Sequence, residues 1–301
     1  MPSPHIYGLI GYPVTHSLSG HMHNAAFRAL GLDAEYRLFS VPPQDLESFL
    51  LVPDKAVEDT DGNRFKTQNV IGFNITVPHK VRAKEILERH FPAGGNDVIR
   101  LIGAINTVKR ESIHMVYINT DAEGFKDSLK LDLGFEASGT ETVMVLGCGG
   151  AARAVMSALV WEQGGVKDIY MYDIDEKTAR NFKEYYVFAP RVERRVHIIS
   201  QESIPEKLSQ CTLLVNTTPI GMKEGDPCVI DPALLHKDLF VYDVVYNRDT
   251  ELIRAAKKKN IPACGGLGML LYQGVAAFRF WTAKEPPVEI MRNALRKAIH
   301  R

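Results

Sequence analysis

Short apolar runs alternate along this chain with longer stretches in which apolar residues recur at helical spacing. Such alternation is typical of α/β domains built on a largely parallel sheet, because each strand is followed by a helix that covers the sheet. In the first third of the chain the pattern predicts strands and helices in turn, at residues 6–10 (strand), 19–30 (helix), 35–39 (strand), 43–51 (helix), 71–75 (strand) and 81–89 (helix).

A polar stretch at residues 54–68 interrupts this alternation. Its charged and turn-forming residues show no apolar periodicity, so we expect an exposed and mobile loop. Two apolar runs further on, residues 104–109 and 113–118, predict a β-hairpin, and residues 121–131 predict a helix. We place the end of the first domain at residue 122.

The alternation resumes in the second half of the chain, with the number of elements expected of a doubly wound nucleotide-binding sheet. The tail from residue 268 predicts one or two helices that pack on the first domain. The fold class is therefore α/β, with an N-terminal α/β substrate domain (residues 1–122, completed by 268–301) and a Rossmann-type dinucleotide-binding domain (residues 123–267). The predicted elements of the second domain are strands 142–146, 168–172, 196–199, 213–216 and 239–244 and helices 151–163, 176–186, 202–208 and 250–259.

Composition narrows the class of protein and the kinds of partner. Of 301 residues, 45% are apolar and 24% are charged, ordinary values for globular proteins that exclude a disordered chain, a collagen-like repeat and a coiled coil. Thirty-six Lys and Arg residues balance thirty-six Asp and Glu residues, so no global field favours nucleic acid or an anionic membrane. We expect neither partner, and any charged ligand must be held by local groups.

The four cysteines lie far apart and lack zinc-binding spacing, so we expect reduced thiols in a cytoplasmic protein. The N-terminus has no basic region leading into an apolar stretch, and no window has the roughly 18 to 20 apolar residues of a membrane span. His16, His21 and His23 suggest a metal site, but their spacing is unusual for zinc and no cysteine or carboxylate completes the set. We expect no metal and predict surface or partly buried helix histidines.

The strongest chemical signal follows the predicted strand 142–146. The sequence from Gly147 to Ala152 is G-x-G-x-x-A and stands between a strand and a helix, as dinucleotide binding requires. The first glycine allows a tight turn, the second lets the backbone approach a pyrophosphate, and a small Ala152 lets helix and strand pack closely. Phosphates then bind amides at the positive end of the helix. The residues that we expect in this part of the cofactor site are Gly147, Gly149, Gly150 and Ala151.

Asp173 ends the next predicted strand, about 20 residues beyond the glycine loop. A carboxylate at this place accepts hydrogen bonds from the adenosine ribose and repels a 2′-phosphate. The nearest basic residues, Lys177 and Arg180, are expected a turn or more into the following helix, so the loop itself lacks a phosphate clamp. The sequence therefore favours NAD over NADP. For Asp175 we expect the role of a helix N-cap.

Four polar segments of the first domain lie at predicted junctions between elements, at residues 11–19, 74–80, 103–107 and 119–121. In an α/β sheet such junctions line the crevice at the carboxyl ends of the strands, where ligands bind. Taken singly, Lys80 or Asp121 would be interpreted as a solvated first-turn residue or an N-cap. Their combination with a nucleotide-binding pattern favours a functional interpretation.

The order of these motifs resembles the shikimate dehydrogenase family, including its quinate/shikimate relatives, over nearly the whole chain. The resemblance implies a two-domain dehydrogenase that interconverts 3-dehydroshikimate and shikimate with a nicotinamide cofactor bound between the domains. The motifs are N-I-T-V-P-H-K at 74–80, G-A-I-N-T at 103–107, N-T-D at 119–121, the glycine loop, N-T-T-P-I-G at 216–221, D-V-V-Y at 243–246 and G-L-G-M-L-L-Y-Q at 266–273.

The resemblance also implies roles for single residues. It assigns the substrate carboxylate to Ser17 and Ser19 and the catalytic proton transfer to Lys80 and Asp121. Hydroxyl and amide side chains suit a small polyhydroxylated acid, because a site that hydrogen-bonds each hydroxyl rejects analogues that lack one. The other residues implied are Thr76, Asn106, Tyr246 and Gln273 for the substrate and Thr218, Val244, Gly266 and Met269 for the cofactor.

The pairing of a lysine with a carboxylate agrees with the chemistry. Oxidation of a secondary alcohol removes a hydride from carbon and a proton from oxygen, so a group must take the proton. A lysine does so when its pKa lies near the working pH, and in its protonated form it polarises the carbonyl in the reverse direction. A neighbouring carboxylate orients the lysine and favours its charged form. Which of Lys80 and Asp121 is the formal base stays open.

Several alternatives stay open as well. NADP-linked members of the shikimate dehydrogenase family bind the 2′-phosphate with an Asn-Arg-Thr segment, and this chain has Asp173-Ile174-Asp175 at that place. NAD is therefore the expected cofactor, NADP stays possible, and an NAD-dependent quinate/shikimate dehydrogenase is the main alternative, although Ser19 in place of a smaller glycine favours shikimate. A small-molecule sensor that keeps the fold without turnover and a dehydrogenase for a modified ring are further hypotheses. We expect a monomer or homodimer.

Overall fold

The computed structural model describes residues 4–92, 97–112, 114–160 and 165–299. These residues form two compact units. The first contains the described chain up to Thr120 together with the residues from Gln273 onward, and the second runs from Asp121 to Tyr272. Both units are α/β, which confirms the fold class that the hydrophobic pattern predicts.

Each unit is built on its own sheet. The strands of the described chain are β1 (His5–Gly11), β2 (Ala34–Ser40), β3 (Ala56–Glu58), β4 (Arg64–Lys66), β5 (Val70–Ile75), β6 (Thr107–Glu111), β7 (His114–Ile118), β8 (Thr142–Leu146), β9 (Asp168–Tyr172), β10 (Val196–Ile198), β11 (Leu213–Asn216), β12 (Phe240–Asp243) and β13 (Ala263–Gly265). The first sheet has the order β2-β1-β5-β6-β7, with β1 parallel to β2 and β5 and with β6 and β7 antiparallel to their neighbours. The second sheet has the order β10-β9-β8-β11-β12-β13 and is parallel throughout.

The helices cover these sheets. They are α1 (Ser19–Ala29), α2 (Leu46–Leu51), α3 (Lys80–His90), α4 (Asp97–Ile102), α5 (Asp121–Leu131), α6 (Gly150–Val160), α7 (Glu176–Tyr185), α8 (Pro190–Glu193), α9 (Ile204–Leu208), α10 (Glu251–Lys258), α11 (Leu267–Thr282) and α12 (Val288–Ile299). The predicted helices 43–51 and 202–208 each start as a 3₁₀ turn, at Pro43–Asp45 and Gln201–Ser203. The end of the predicted helix 151–163 lies outside the described residues.

Across the described residues, every helix is too short or too polar to span a bilayer.

The polar stretch 54–68 is not the loop that the sequence predicts. It contains an antiparallel hairpin in which Val57 of β3 stands opposite Phe65 of β4, and both side chains pack on the core of the first unit. The buried Asp59 carboxylate closes the turn, because Oδ1 accepts the N–H groups of Asp61 and Asn63 at 3.0 and 2.8 Å. The polar residues that indicated a loop therefore form the hydrogen bonds of an ordered turn.

The second sheet brings the glycine loop to its centre. β8 pairs with β9 on one side and with β11 on the other, so the chain reverses its direction of travel across the sheet at β8. Such a switch point opens a crevice at the carboxyl ends of the strands. Because the strands are parallel, Gly147, Asp173, Thr217 and Val244 follow four of them at the same edge of the sheet.

His23 is fully buried inside the first unit, whereas the sequence predicts a surface or partly buried helix histidine. Its ring stacks on Tyr36 at 4.5 Å between centroids and lies 5.3 Å from Trp281. Neither ring nitrogen has a hydrogen-bond partner within the described part of the chain. Burial lowers the pKa of His23 to about 3, so this histidine is neutral at physiological pH.

Replacement of His23 by phenylalanine is expected to make folding less sensitive to acid. The unfolded chain gains the proton as pH falls through about 6.5, whereas the folded chain resists it down to about 3. His23 therefore contributes stability above pH 6.5 that is lost as pH falls, by up to about 1.4 kcal/mol per pH unit. Urea unfolding between about pH 7.5 and 4.5 measures the slope. The exposed His21 of the same helix provides the control, since His21→Phe should keep the wild-type slope; an equal slope in His23→Phe would contradict the expectation.

Candidate active site

The glycine loop joins β8 to α6 and leaves open space beside two of its glycines. Gly147 has a φ of +95°, and a Cβ there would lie 2.7 Å from Thr217 Oγ1, so the turn requires glycine. An ideal Cβ on Gly149 or Gly150 would meet no atom within 4 Å. Open backbone at the start of α6 is what a pyrophosphate needs in order to approach main-chain amides. The residues present therefore fit the pyrophosphate of a dinucleotide.

Asp173 follows β9, and its carboxylate is hydrogen-bonded to the glycine loop. Oδ2 accepts the Cys148 N–H at 2.8 Å, and Oδ1 accepts the Asp175 N–H at 2.9 Å. These two bonds hold the half-buried carboxylate beside the loop. Burial, together with the negative charge of Asp173, raises the pKa of the Cys148 thiol to about 12, so the thiol stays protonated at neutral pH. All four cysteines are free thiols.

The residues after Asp173 begin α7. Asp175 is the N-cap of this helix, which confirms the prediction: its carboxylate accepts the Lys177 N–H at 3.0 Å and the Thr178 hydroxyl at 2.6 Å. The Thr178 hydroxyl and the Lys177 amide lower the pKa of Asp175. Lys177 is the second residue of α7, so the prediction that it lies a turn or more into the helix was wrong. Arg180 lies further along and pairs with Glu176 at 3.3 Å.

A buried polar network shapes the loops after β11 and β12. Asn216 Oδ1 accepts the N–H and the hydroxyl of Thr218 at 3.0 and 2.7 Å, and Asn216 Nδ2 donates to Asp243 at 3.0 Å. Asp243 also accepts the Thr250 hydroxyl at 2.7 Å. Burial raises the pKa of Asp243. The network holds Thr218 in place, a positioning role that the sequence analysis missed although Asn216 and Asp243 stand in its motifs.

Four further predicted residues follow β12 and β13. A Cβ on Gly266 would lie 2.1 Å from the Val244 carbonyl oxygen, so the two backbone segments are in direct contact. Tyr246 is partly buried, and this burial raises the pKa of its phenol. Met269 stands in the first turn of α11 and is partly exposed. All the residues predicted for cofactor binding thus belong to the second unit.

In the first unit, hydroxyl groups follow two neighbouring strands. Ser19 is the first residue of α1, and its N–H donates to Ser17 Oγ at 3.3 Å. Thr76 follows β5, and its N–H donates to the Ile10 carbonyl of β1 at 2.9 Å. Ser19 is buried, whereas Ser17 and Thr76 are half-buried. The three hydroxyl groups therefore lie beyond the carboxyl ends of β1 and β5.

Asn106 connects the segments before β6 and after β7. Its Oδ1 accepts the Thr120 N–H at 2.8 Å, and its Nδ2 donates to the Thr120 hydroxyl at 3.0 Å. The neighbouring Thr107 hydroxyl donates to Asn106 Oδ1 and accepts a hydrogen bond from Asn74, both at 3.0 Å. Asn74, Thr107 and Thr120 are buried and were missed as candidates. Their position inside the N-I-T, G-A-I-N-T and N-T-D motifs is the sequence signal that could have identified them.

The two predicted catalytic residues both begin helices. Lys80 is the first residue of α3, and its carbonyl accepts the Ile105 N–H at 3.2 Å. His79, just before it, turns its buried ring toward the Val41 carbonyl, 2.7 Å from Nε2. Asp121 is the first residue of α5 and opens the second unit. Lys80 and the buried Gln273 belong to the first unit.

Comparisons with known proteins agree with this arrangement. A family model described as the shikimate dehydrogenase substrate binding domain matches residues 9–108, and one described as the shikimate 5'-dehydrogenase C-terminal domain matches residues 266–296. The shikimate dehydrogenase (NADP(+)) of Methanopyrus kandleri is 38% identical to this chain, and the match covers 96% of this chain and 94% of that protein.

Two solved structures share the fold over almost the whole length. The shikimate dehydrogenase of Aquifex aeolicus has a TM-score of 0.82 at 32% identity, covering 98% of this chain and 99% of that one. The quinate dehydrogenase of Corynebacterium glutamicum, in complex with NAD, has a TM-score of 0.82 at 29% identity with the same coverage. With an identity of 38% to a relative along 96% of its length, the chain belongs to the shikimate dehydrogenase family of NAD(P)-dependent oxidoreductases that act on CH–OH groups.

Proposed function

We propose that this enzyme interconverts 3-dehydroshikimate and shikimate and prefers NAD to NADP. The observation that carries the cofactor preference is the Asp173 carboxylate, which Cys148 and Asp175 hold beside the glycine loop. In this proposal the first unit is the substrate domain and the second unit is the dinucleotide-binding domain. The bound nicotinamide supplies the hydride acceptor for oxidation and the hydride donor for reduction.

The substrate residues in this proposal are those with hydroxyl and amide groups. Ser17 and Ser19 bind the carboxylate of the substrate, and Thr76, Asn106, Tyr246 and Gln273 bind its ring hydroxyls or carboxylate. The position of Ser17, Ser19 and Thr76 beyond the ends of β1 and β5 supports this assignment. Uncharged hydrogen-bonding groups select for each hydroxyl of the ring, because an analogue without the hydroxyl leaves a buried polar group unpaired.

Lys80 and Asp121 transfer the proton. During oxidation the C–H hydride leaves carbon, and the alcohol proton passes to the neutral amine of Lys80. During reduction the ammonium of Lys80 returns this proton to the oxygen of the carbonyl that accepts hydride. Asp121 is the carboxylate partner of Lys80 in the proposed reaction. The anchored start of α3, where the Lys80 carbonyl accepts the Ile105 N–H, supports a defined position for the lysine backbone.

NAD is preferred because of charge. The Asp173 carboxylate would accept hydrogen bonds from the ribose hydroxyls of NAD, whereas it would repel the 2′-phosphate of NADP. The relative from Methanopyrus kandleri carries NADP(+) in its name. Cofactor choice is thus the property in which we propose that this chain differs from that relative.

Oxidation of quinate is the second candidate function. The quinate dehydrogenase of Corynebacterium glutamicum shares the fold and was solved with NAD, the cofactor that Asp173 favours. Quinate carries the same secondary alcohol chemistry on a saturated ring, so Lys80 and Asp121 would serve unchanged. Its additional hydroxyl beside the carboxylate would have to fit next to the buried Ser19.

Initial rates with the purified enzyme test the proposal. Shikimate should reduce NAD faster than NADP at matched concentrations, measured by the absorbance of the reduced nicotinamide, and quinate should be slower than shikimate. Faster reduction of NADP would refute the cofactor preference alone. Binding of shikimate and NAD without any turnover would refute the enzymatic proposal and favour a sensor, and a faster reaction with quinate would favour the second candidate.

A further inference from the structure

Gly268 is the second residue of α11 and stands inside the motif G-L-G-M-L-L-Y-Q, but the proposed function gives it no role. It is buried, and an ideal Cβ there would lie 1.8 Å from Asp132 Oδ2 and 2.2 Å from Ser128 Oγ. Real Cβ atoms essentially never make contacts shorter than 3.0 Å, so an alanine fits only if its neighbours shift. The start of α11 therefore lies directly on the side chains of Ser128, which belongs to α5, and of Asp132, which follows α5.

Two hydrogen bonds hold the Ser128 hydroxyl against this glycine. Ser128 Oγ donates to Asp132 Oδ2 at 2.9 Å, because a carboxylate only accepts. The one proton of the serine is thereby used, and Ser128 Oγ accepts from the Tyr242 phenol, also at 2.9 Å. Ser128 and Tyr242 are fully buried. Rotation of the serine away from Gly268 would therefore break both hydrogen bonds in a buried place, which is costly.

Asp132 is bound to both helices. Its N–H donates to the Ser128 carbonyl of α5 at 3.0 Å, and its Oδ1 accepts the Tyr272 hydroxyl of α11 at 3.4 Å. A carboxylate beside the first turn of α11, a helix of 16 residues, is also stabilised by the positive end of the helix dipole. The backbone of Asp132 is thus fixed to α5 and its carboxylate to α11.

The neighbours of Gly268 along the chain are residues predicted for the cofactor. Gly266 precedes α11 and contacts the Val244 carbonyl, and Met269 directly follows Gly268. Asp173 follows β9, whereas Val244 and Gly266 follow β12 and β13, which lie on the other side of β8 in the sheet. With the adenosine ribose at Asp173 and the pyrophosphate at the glycine loop after β8, the nicotinamide half is expected on the side of β12 and β13.

We propose that Gly268 is a positioning residue of the cofactor site: because it has no side chain, the start of α11 lies on α5 at the distance that places Gly266 and Met269 for the nicotinamide half. The proposal rests on the proposed function, because it takes Gly266 and Met269 as cofactor residues. Gly268 acts through these two neighbours and not on the reacting atoms. Its replacement should weaken binding of the nicotinamide half and leave binding of the adenosine half unchanged.

The test is Gly268→Ala, with calorimetric titrations of NADH and of ADP-ribose, which has the adenosine and the pyrophosphate of NAD but no nicotinamide. We expect the Kd for NADH to rise about tenfold, because overpacking displaces the start of α11. The Kd for ADP-ribose should stay within about twofold of the wild type. Unchanged binding of ADP-ribose also shows that the variant is folded.

Gly20→Ala is the matched control. Gly20 is the second residue of α1, as Gly268 is of α11, and its Cβ would approach Tyr36 no closer than 4.0 Å. Alanine is a better helix former than glycine, so neither substitution weakens its helix by propensity. Gly20→Ala should therefore bind both NADH and ADP-ribose as the wild type does.

Removal of the two oxygens that oppose the Cβ separates positioning from a general effect on structure. In a background that carries both Ser128→Ala and Asp132→Ala, Gly268→Ala should change the Kd for NADH by less than about twofold, since the atoms that its Cβ would meet are gone. An unchanged Kd for NADH in the single variant, an equal loss of NADH and ADP-ribose binding, or the same tenfold loss in the background would overturn the inference while leaving the proposed function intact. Wild-type protein that binds neither ligand would instead overturn the proposed function and, with it, this inference.

Discussion

Lys80→Ala is expected to lower the turnover of shikimate by about 10²- to 10⁴-fold, the usual contribution of a positioned acid or base. Without the amine, no lysine takes the alcohol proton during oxidation or returns it to the carbonyl during reduction. The affinity for NAD should stay within about twofold, because the glycine loop and Asp173 belong to the other unit. Steady-state rates and a fluorescence titration with reduced cofactor measure the two effects.

The matched control for this variant is Lys84→Ala on the same helix. Lys84 lies one turn after Lys80, pairs with Glu88 at 2.9 Å, and has no role in the proposed site. Truncation at Lys80 leaves its backbone carbonyl bonded to Ile105, so α3 should keep its start. Near-normal turnover in Lys80→Ala, or an equal loss in both variants, would rule out Lys80 as the proton-transfer group.

Asp173→Asn is expected to lower the ratio of kcat/KM for NAD to that for NADP by about 10- to 100-fold. The substitution removes the charge that repels a 2′-phosphate and keeps the shape of the side chain. One oxygen remains to accept the Cys148 N–H, so the glycine loop should keep its conformation. Most of the change should appear as a lower KM for NADP, measured by initial rates with both cofactors.

Asp175→Asn is the control for cofactor choice. Asp175 stands two residues after Asp173 and caps α7, a role that asparagine also fills well. The ratio of NAD to NADP use should therefore match the wild type in this variant. An unchanged ratio in Asp173→Asn would show that the carboxylate does not discriminate between the cofactors, and an equal change in both variants would indicate a general effect of negative charge near the loop.

The local hydrophobic pattern predicted several helices and strands correctly and failed to predict others. The predicted bounds of α5 (Asp121–Leu131) and β8 (Thr142–Leu146) agree with the structure, because α5 carries apolar residues at helical spacing and β8 is a short apolar run that ends at a glycine. β13 escaped prediction because its three residues show no period and are defined only by pairing with β12. The β3–β4 hairpin was not predicted because Val57 and Phe65 are stabilised by packing on a core that other parts of the chain form.

At the candidate site, the sequence pointed to positions and the fold supplied their partners. The sequence alone identified a strand, the G-x-G-x-x-A loop, a second strand and an Asp in this order, because the motif depends only on spacing along the chain. That the Asp173 carboxylate accepts the Cys148 N–H, 25 residues away, depends on the pairing of β8 with β9. The buried state of His23 likewise depends on Trp281, which α11 brings back to the first unit.

Spacing along the chain was thus enough to establish an α/β nucleotide-binding fold, the glycine turn and the N-cap at Asp175, because these features arise from residues a few positions apart. The network from Tyr36 through Asn74 and the bond between Asn216 and Asp243 required the folded chain. Their partners stand 38 and 27 residues apart and meet only when strands pair. The direction of each such hydrogen bond follows from the acceptor that the fold places opposite it, and no linear pattern encodes that choice.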